Sequence, residues 1–132
     1  MDKIKIDSLR GAAQFDPIFQ GGRKIEQGAV VVRLLVRSDG LGPRLGLIVP
    51  KKKAKRAVDR NAFKRVAREA FLGAMRGASA NARSVDAVVQ FIGVSPGSME
   101  DLMAFKALVA ADVEAALARA LQPRISRAGP RP

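Results

Sequence analysis

Residues 45–75 read LGLIVPKKKAKRAVDRNAFKRVAREAFLGAM, and the order of elements in this stretch decides the fold. Leu45–Val49 is a short apolar run with the length of a buried strand. Pro50 ends it, because proline has no N–H to give a ladder. The next six residues hold five cations, and from Ala57 to Met75 the apolar positions change to helical spacing. At about 100° per residue, Phe63, Val66, Ala67, Ala70, Phe71 and Ala74 gather on one side of this helix. Arg60, Asn61, Lys64, Arg65 and Arg68 gather on the other. Asp59 stands in the first turn, where the helix dipole favours an acid, and Glu69 lies one turn from Arg65, a spacing that suits an ion pair.

Outward from this stretch, Val85–Ile92 (VDAVVQFI) is a second strong strand, completing a strand–helix–strand unit. On the other side lies Ala29–Val36 (AVVVRLLV). Ser38-Asp39-Gly40 and Gly42-Pro43 mark a turn, so Leu45–Val49 reads as its hairpin partner. RKIEQ, between Gly22 and Gly28, adds a short edge strand. Ser8–Gln20 has Leu9, Ala12, Ala13, Phe15 and Phe19 at mostly helical spacing and is closed by Gly21-Gly22. Pro17 predicts a kink there, or a restart with Asp16 as cap. After a loop at 77–84 and the last strand, Ser98 with Asp101 makes a capping-box arrangement. Leu102, Phe105, Val109, Val113, Ala116, Leu117 and Leu121 then form one apolar stripe that ends near Leu121. The order is αβ(β)βαβα. A small mixed sheet of three to four strands cannot bury its faces without helices, so the expected class is α+β, an α/β sandwich. Residues 1–121 form one domain, and 122–132 a basic tail expected to be disordered.

Composition narrows the function. Of 132 residues 48% are apolar, enough for a core, and 24 Lys+Arg against 12 Asp+Glu give a net charge of +12. Residues 51–76 hold ten basic and two acidic side chains, so two-thirds of the excess lies in 26 residues. The chain has neither Cys nor His. That excludes disulfides, thiolate and imidazole metal ligands, cysteine nucleophiles and the usual general base near neutral pH. No apolar run of membrane-spanning length and no leader-like apolar stretch is present, so a soluble cytoplasmic location with no membrane partner is expected.

A solvated charged face is the ordinary reading of a helix exterior, but such faces mix signs. Here Arg60, Lys64 and Arg68 form a like-charged i, i+4, i+8 row, preceded by Lys51, Lys52, Lys53, Lys55 and Arg56. A polyanion relieves that repulsion, and nucleic acid fits best. No helix-turn-helix pair, zinc finger or zipper is present, which favours RNA over DNA.

These residues also carry a resemblance. Gly46-Leu-Ile-Val-Pro-Lys51-Lys52, Ala57-Val58-Asp59-Arg60-Asn61, Lys64-Arg65 and Arg68-Glu69-Ala70-Phe71 resemble, in type and spacing, the arginine-rich motif of the bacterial ribonuclease P protein subunit. Leu9, Phe15, Phe19 and Gly21-Gly22-Arg23 resemble that family's first helix, and VDAVVQFIG its late strand, so the likeness covers roughly residues 8–121. The resemblance implies a subunit that binds a catalytic RNA and precursor tRNA. Together they remove the 5′ leader, with the RNA and its magnesium ions doing the hydrolysis and no protein partner required. It implies no catalytic residue and no metal site on the protein. It assigns Lys51, Lys52, Lys53, Arg56, Arg60, Asn61, Lys64, Arg65 and Arg68 to the catalytic RNA. It assigns Phe15 and Phe19 to a cleft for the single-stranded leader, where unpaired bases stack on aromatics. Ordinary core packing is the competing reading of both phenylalanines. Val30, Val32 and Leu34 share one sheet face, which alternation alone does not assign to a cleft.

Ala62 departs from the family's pattern, which has another basic residue there, and Phe63 replaces a branched aliphatic. The resemblance further implies a left-handed crossover from Leu45–Val49 through the basic helix to Val85–Ile92, against the usual right-handed rule. Two other functions compete. One is a ribosomal-type or chaperone-type RNA-binding protein without a dedicated reaction. The other is an independent nuclease, whose only acids near the basic helix, Asp59 and Glu69, lie on different faces.

Overall fold

A computed structural model describes residues 4–78, 84–95 and 100–121. Along the chain run β1 (Asp7–Ser8), α1 (Gly11–Gly21), β2 (Arg23–Gln27), β3 (Val30–Val36) and β4 (Arg44–Ile48). They are followed by α2 (Ala57–Arg76), β5 (Val85–Phe91) and α3 (Leu102–Ala120). The strands form one mixed sheet in the order β1-β4-β5-β3-β2. β1, β4 and β5 are parallel, and β3 runs antiparallel to both β5 and β2.

The expected hairpin between β3 and β4 does not form, because β5 lies between them. β5 is the strand whose residues are buried on both faces, apart from half-buried Gln90, and such a strand belongs in the interior of a sheet. The connection from Val36 to Arg44 crosses the end of β5 and is fastened to it. Asp86, side chain 3% exposed, accepts two 2.7 Å hydrogen bonds from Arg44 Nε and Nη2, and Arg37 Nε lies 3.4 Å away. The Asp86 carboxylate holds the Arg44 guanidinium above its ordinary pKa range, chiefly through these bonds. Arg37 Nη2 donates to the carbonyls of Leu41 and Gly42, and Ser84 Oγ to that of Leu41.

The sheet has five strands rather than three or four. The short edge strand RKIEQ is β2, and the addition is β1, whose second residue, Ser8, stands where the first helix was expected to start. Asp7 N–H bonds Pro43 O and Leu9 N–H bonds Leu45 O, and Gly11 (φ +71°) then turns the chain into α1. α1 runs unbroken through Pro17. Ala13, whose carbonyl loses its i+4 donor at Pro17, is exposed, so water can satisfy it. The Ser98 cap, the tail 122–132 and part of the 77–84 loop lie outside the described residues.

α2 and α3 cover one face of the sheet. Val30, Val32, Leu34, Leu45, Ala87, Val89 and Phe91 meet Phe63, Phe71, Met75, Phe105, Val109, Val113 and Leu117 there. Phe91 joins the layers, its ring 5.3 Å from Phe63 and 5.6 Å from Phe105. α1 lies on the other face, where Leu9, Ile18 and Val88 form a smaller cluster with Phe15, Leu35 and Ile48. Eleven residues make a helix about 16 Å long, and five strands span roughly 20 Å, so α1 covers that face only in part.

Side-chain parity also gives the crossover its hand. An L-residue in an upward-running strand, with its side chain toward the viewer, directs its N–H to the right. Leu9 faces α1 and its N–H bonds β4, so from the α1 side β4 lies to the right of β1, and β5 to the right of β4. Seen from the α2 side β5 is therefore to the left of β4. The β4–α2–β5 crossover is left-handed.

Asp86→Ala leaves two arginines without the buried acid that ties the 37–43 connection to the central strand. The expected loss is about 3 kcal/mol in urea unfolding, the lower end for a broken buried pair because Arg44 reaches solvent. A loss under about 0.5 kcal/mol, typical of an ordinary surface site, would contradict this fastening.

Candidate nucleic-acid interface

The lysine run leaves β4 at Pro50 and is folded before it meets α2. Lys53 and Ala54 N–H both bond Pro50 O at 3.0 and 3.1 Å, and Ser95 N–H bonds Lys53 O at 3.0 Å. Ala54 is fully buried as the plug beneath this turn. Arg60 Nη1 reaches back from α2 to the carbonyls of Ala54 (2.9 Å) and Lys55 (2.8 Å). Asp59 is wholly buried and accepts two hydrogen bonds from Arg56, at 2.7 and 3.0 Å. That bidentate pairing holds the Arg56 guanidinium above its ordinary pKa range.

The nine expected RNA-facing residues therefore divide. Lys51, Lys52, Lys53, Asn61, Lys64, Arg65 and Arg68 are exposed. Arg56 and Arg60 are half-buried and spend donors on the protein itself, so they shape the loop as well as adding charge. Asp59, read as a dipole partner, is an internal anchor. Arg65 and Glu69 form no ion pair among the described residues, so Arg65 keeps its charge for a ligand. On the apolar side of α2, Phe63, Ala67, Ala70 and Phe71 are buried as the spacing predicts, while Val66 and Ala74 are half-buried. Ala62, which joins the buried set, faces the packing with α3.

On the other face of the sheet, Phe15 and Phe19 stack 6.4 Å apart at 26° along α1. They are not equivalent. Phe15 lies against the backbone of β4, where a Cβ on Gly46 would come within 2.8 Å of its ring, so Gly46 makes the room. Phe19 is 44% exposed, and the Arg33 guanidinium sits 4.6 Å over its ring. Arg33 Nη1 also donates to Gln90 Oε1 at 3.0 Å. Val30, Val32 and Leu34 face the main core, and Val31, Arg33 and Leu35 face α1. The face that α1 shares is therefore the parity that sequence alternation left unassigned. Arg33 and Gln90 were missed; a lone arginine inside the apolar run AVVVRLLV was the signal. The row Ile48–Gln90–Val31 lies at the strand termini from which Pro50 and the lysine loop emerge, so the α1 face and the loop meet at one end of the sheet.

α3 holds the hairpin that carries Arg33. Asp112 Oδ2 accepts the Ala29 N–H at 3.0 Å, and Arg119 Nη1 donates to Gln27 Oε1 at 2.9 Å. Gly28 has φ +54°, which favours glycine, and a Cβ there would come within 2.4 Å of the Asp112 carboxylate and push it from the Ala29 N–H. Among the described residues no group of three or more His, Cys, Asp or Glu is placed to hold a metal, and no helix is long and apolar enough to cross a membrane.

Residues 5–120 match the family model described as Ribonuclease P. The ribonuclease P protein component of Vibrio vulnificus (strain YJ016) is 45% identical over 58 residues, 43% of this chain and 48% of that protein. The chain thus spans about half the length of the curated relatives it matches. The solved Staphylococcus aureus RNase P protein superposes with a TM-score of 0.67 at 22% identity, covering 89% of this chain and all of that one, a likeness of fold. The Thermotoga maritima RNase P protein gives 0.57 at 26% identity, with 87% and 94% covered.

If the Asp59–Arg56 pair holds the lysine turn, Asp59→Ala loosens it locally. Hydrogen exchange at the Lys53 and Ala54 amides is expected to rise about tenfold or more relative to the β5 amides, the effect of losing roughly 1.4 kcal/mol of local stability. Unchanged relative protection would show that the turn holds without it.

Proposed function

The chain belongs to the ribonuclease P protein family, and from that premise we propose that it acts as the protein subunit of a ribonucleoprotein endonuclease maturing precursor tRNA. The reading rests above all on one observation. An exposed cationic face, Lys64, Arg65 and Arg68 with Asn61, stands beside a lysine turn built by internal hydrogen bonds, and none of these cations is ion-paired among the described residues. Preformed, unpaired positive charge suits a phosphate backbone, because binding releases counterions without first ordering the loop.

In this proposal α2 and the lysine turn dock the catalytic RNA, and the strip of sheet left open beside α1 takes the single-stranded 5′ leader. Phe19 offers its ring for stacking, and Arg33 supplies charge at the same point. The RNA performs the phosphodiester hydrolysis with magnesium ions held by its own phosphates. The protein supplies affinity and position, and none of its side chains is a catalytic residue. The setting is the cytoplasm, with the catalytic RNA and precursor tRNA as partners and no further protein needed.

Two variants test the two surfaces. Arg68→Ala is expected to weaken binding of the catalytic RNA and to reduce the slope of log affinity against log salt by about one, with unfolding unchanged. Unchanged affinity and slope would remove α2 from the interface. Phe19→Ala is expected to lower the preference of the assembled complex for precursor over mature tRNA by about tenfold, within the range for one stacked base. Equal losses for both substrates together with a lower melting temperature would assign Phe19 to packing.

A further inference from the structure

Between the amino-terminal halves of α2 and α3 lies a niche of about 150 Å3 lined by Val58, Asn61, Ala62, Arg65, Leu102 and Lys106. Its floor is apolar: Ala62 and Leu102 are nearly buried and Val58 is 38% exposed. Its polar groups are one amide and two cations from different helices. Ala62, with the shortest side chain among the lining residues, leaves room in this opening.

Lys106 is the informative member. It lies outside the basic segment, in a part of the chain that carries more acid than base. Glu69 and Glu114 line the next groove along the same helix pair, which Lys106 also borders. Yet Lys106 is half-buried and forms no ion pair among the described residues. It shares the niche with Arg65, which is equally unpaired. Two like charges that border one niche from separate helices repel, and an anion between them relieves that repulsion.

We propose that this niche is a nucleotide subsite of the RNA interface, in which Arg65 and Lys106 hold one backbone phosphodiester and the floor takes its unstacked base. The proposal rests on the reading of α2 as an RNA-binding face, which it extends onto α3. Asn61 offers both a donor and an acceptor to a base edge. Val58, Ala62 and Leu102 supply the apolar contact that an extruded base needs. The carboxylates of Glu69 and Glu114 set the far limit, since a phosphate chain running further along the groove would meet negative charge. The subsite therefore receives one nucleotide rather than a continuous strand.

The experiment measures binding of the full chain to the catalytic RNA across a salt series. Lys106→Ala is expected to weaken binding about tenfold and to make the salt slope shallower by about one. Ala62→Leu plugs the niche and keeps every charge. It is expected to leave the slope unchanged and weaken binding about tenfold, near the low end for a lost base contact. Arg76→Ala, an exposed cation at the far end of α2, is the control for diffuse charge. Lys106→Gln repeats the charge test while keeping most of the side chain's length, should Ala62→Leu disturb folding. If Lys106→Ala and Lys106→Gln match Arg76→Ala while Arg68→Ala still weakens binding, the niche is overturned and the interface stands. If the slope changes but a folded Ala62→Leu binds normally, no base enters and the nucleotide subsite is overturned. If Arg68→Ala itself has no effect, the reading beneath both fails.

Discussion

A strand that is apolar on both faces has to be covered on both, and the layout of this protein follows from that demand at β5. Alternating Val85, Ala87, Val89 and Phe91 require the two long helices on one side, while Val88 requires α1 on the other. Placing β5 at the centre sends β4 to its far side and obliges the Val36–Arg44 connection to cross the sheet end. Asp86 is the single polar residue of β5 in the deep interior, and it fastens that crossing through Arg44 and Arg37. An interior acid with two arginines is costly to desolvate, but here it selects one strand order over the simpler hairpin.

The same arrangement gives positive charge a rigid seat. Close packing of like charges is unfavourable for an isolated protein, and a flexible lysine run would lose conformational freedom on meeting an anion. The fold addresses the second cost in advance. Asp59 is buried to hold Arg56, Arg60 binds the carbonyls of the lysine turn, and Ser95 ties the turn to the chain leaving β5. Part of the conspicuous basic motif is thus scaffold. The remainder faces solvent and forms no ion pair among the described residues. Because the turn leaves β4 at the end where Ile48, Gln90 and Val31 lie side by side on the α1 face, the two surfaces are joined through the sheet.

Much of this was legible in the sequence, for identifiable reasons. α2, β5 and α3 are long or strongly periodic, and Phe63, Phe71, Phe105 and Val109 fell where periodicity put them. The motif residues agreed in spacing as well as type, which made the family readable. Pairing was less legible. β3 and β4 are adjacent in sequence with turn residues between them, and local signals carry no information about a strand that arrives 37 residues later. β1 has two residues and no periodicity at all. Which face α1 covers was hidden because Val30 and Val31 are the same residue type on opposite faces; only Arg33 broke the symmetry. Lys106 was invisible for a different reason, since it joins Arg65 only when α3 packs on α2.

The most direct test adds the purified chain to a bacterial ribonuclease P RNA and precursor tRNA at low magnesium, and follows cleavage with protein alone, RNA alone and both. Cleavage at the 5′ leader junction only when both are present is the expected result for a protein that assists an RNA-dependent reaction and does not cut on its own. Cleavage by the protein alone, or RNA binding without any stimulation, would contradict it.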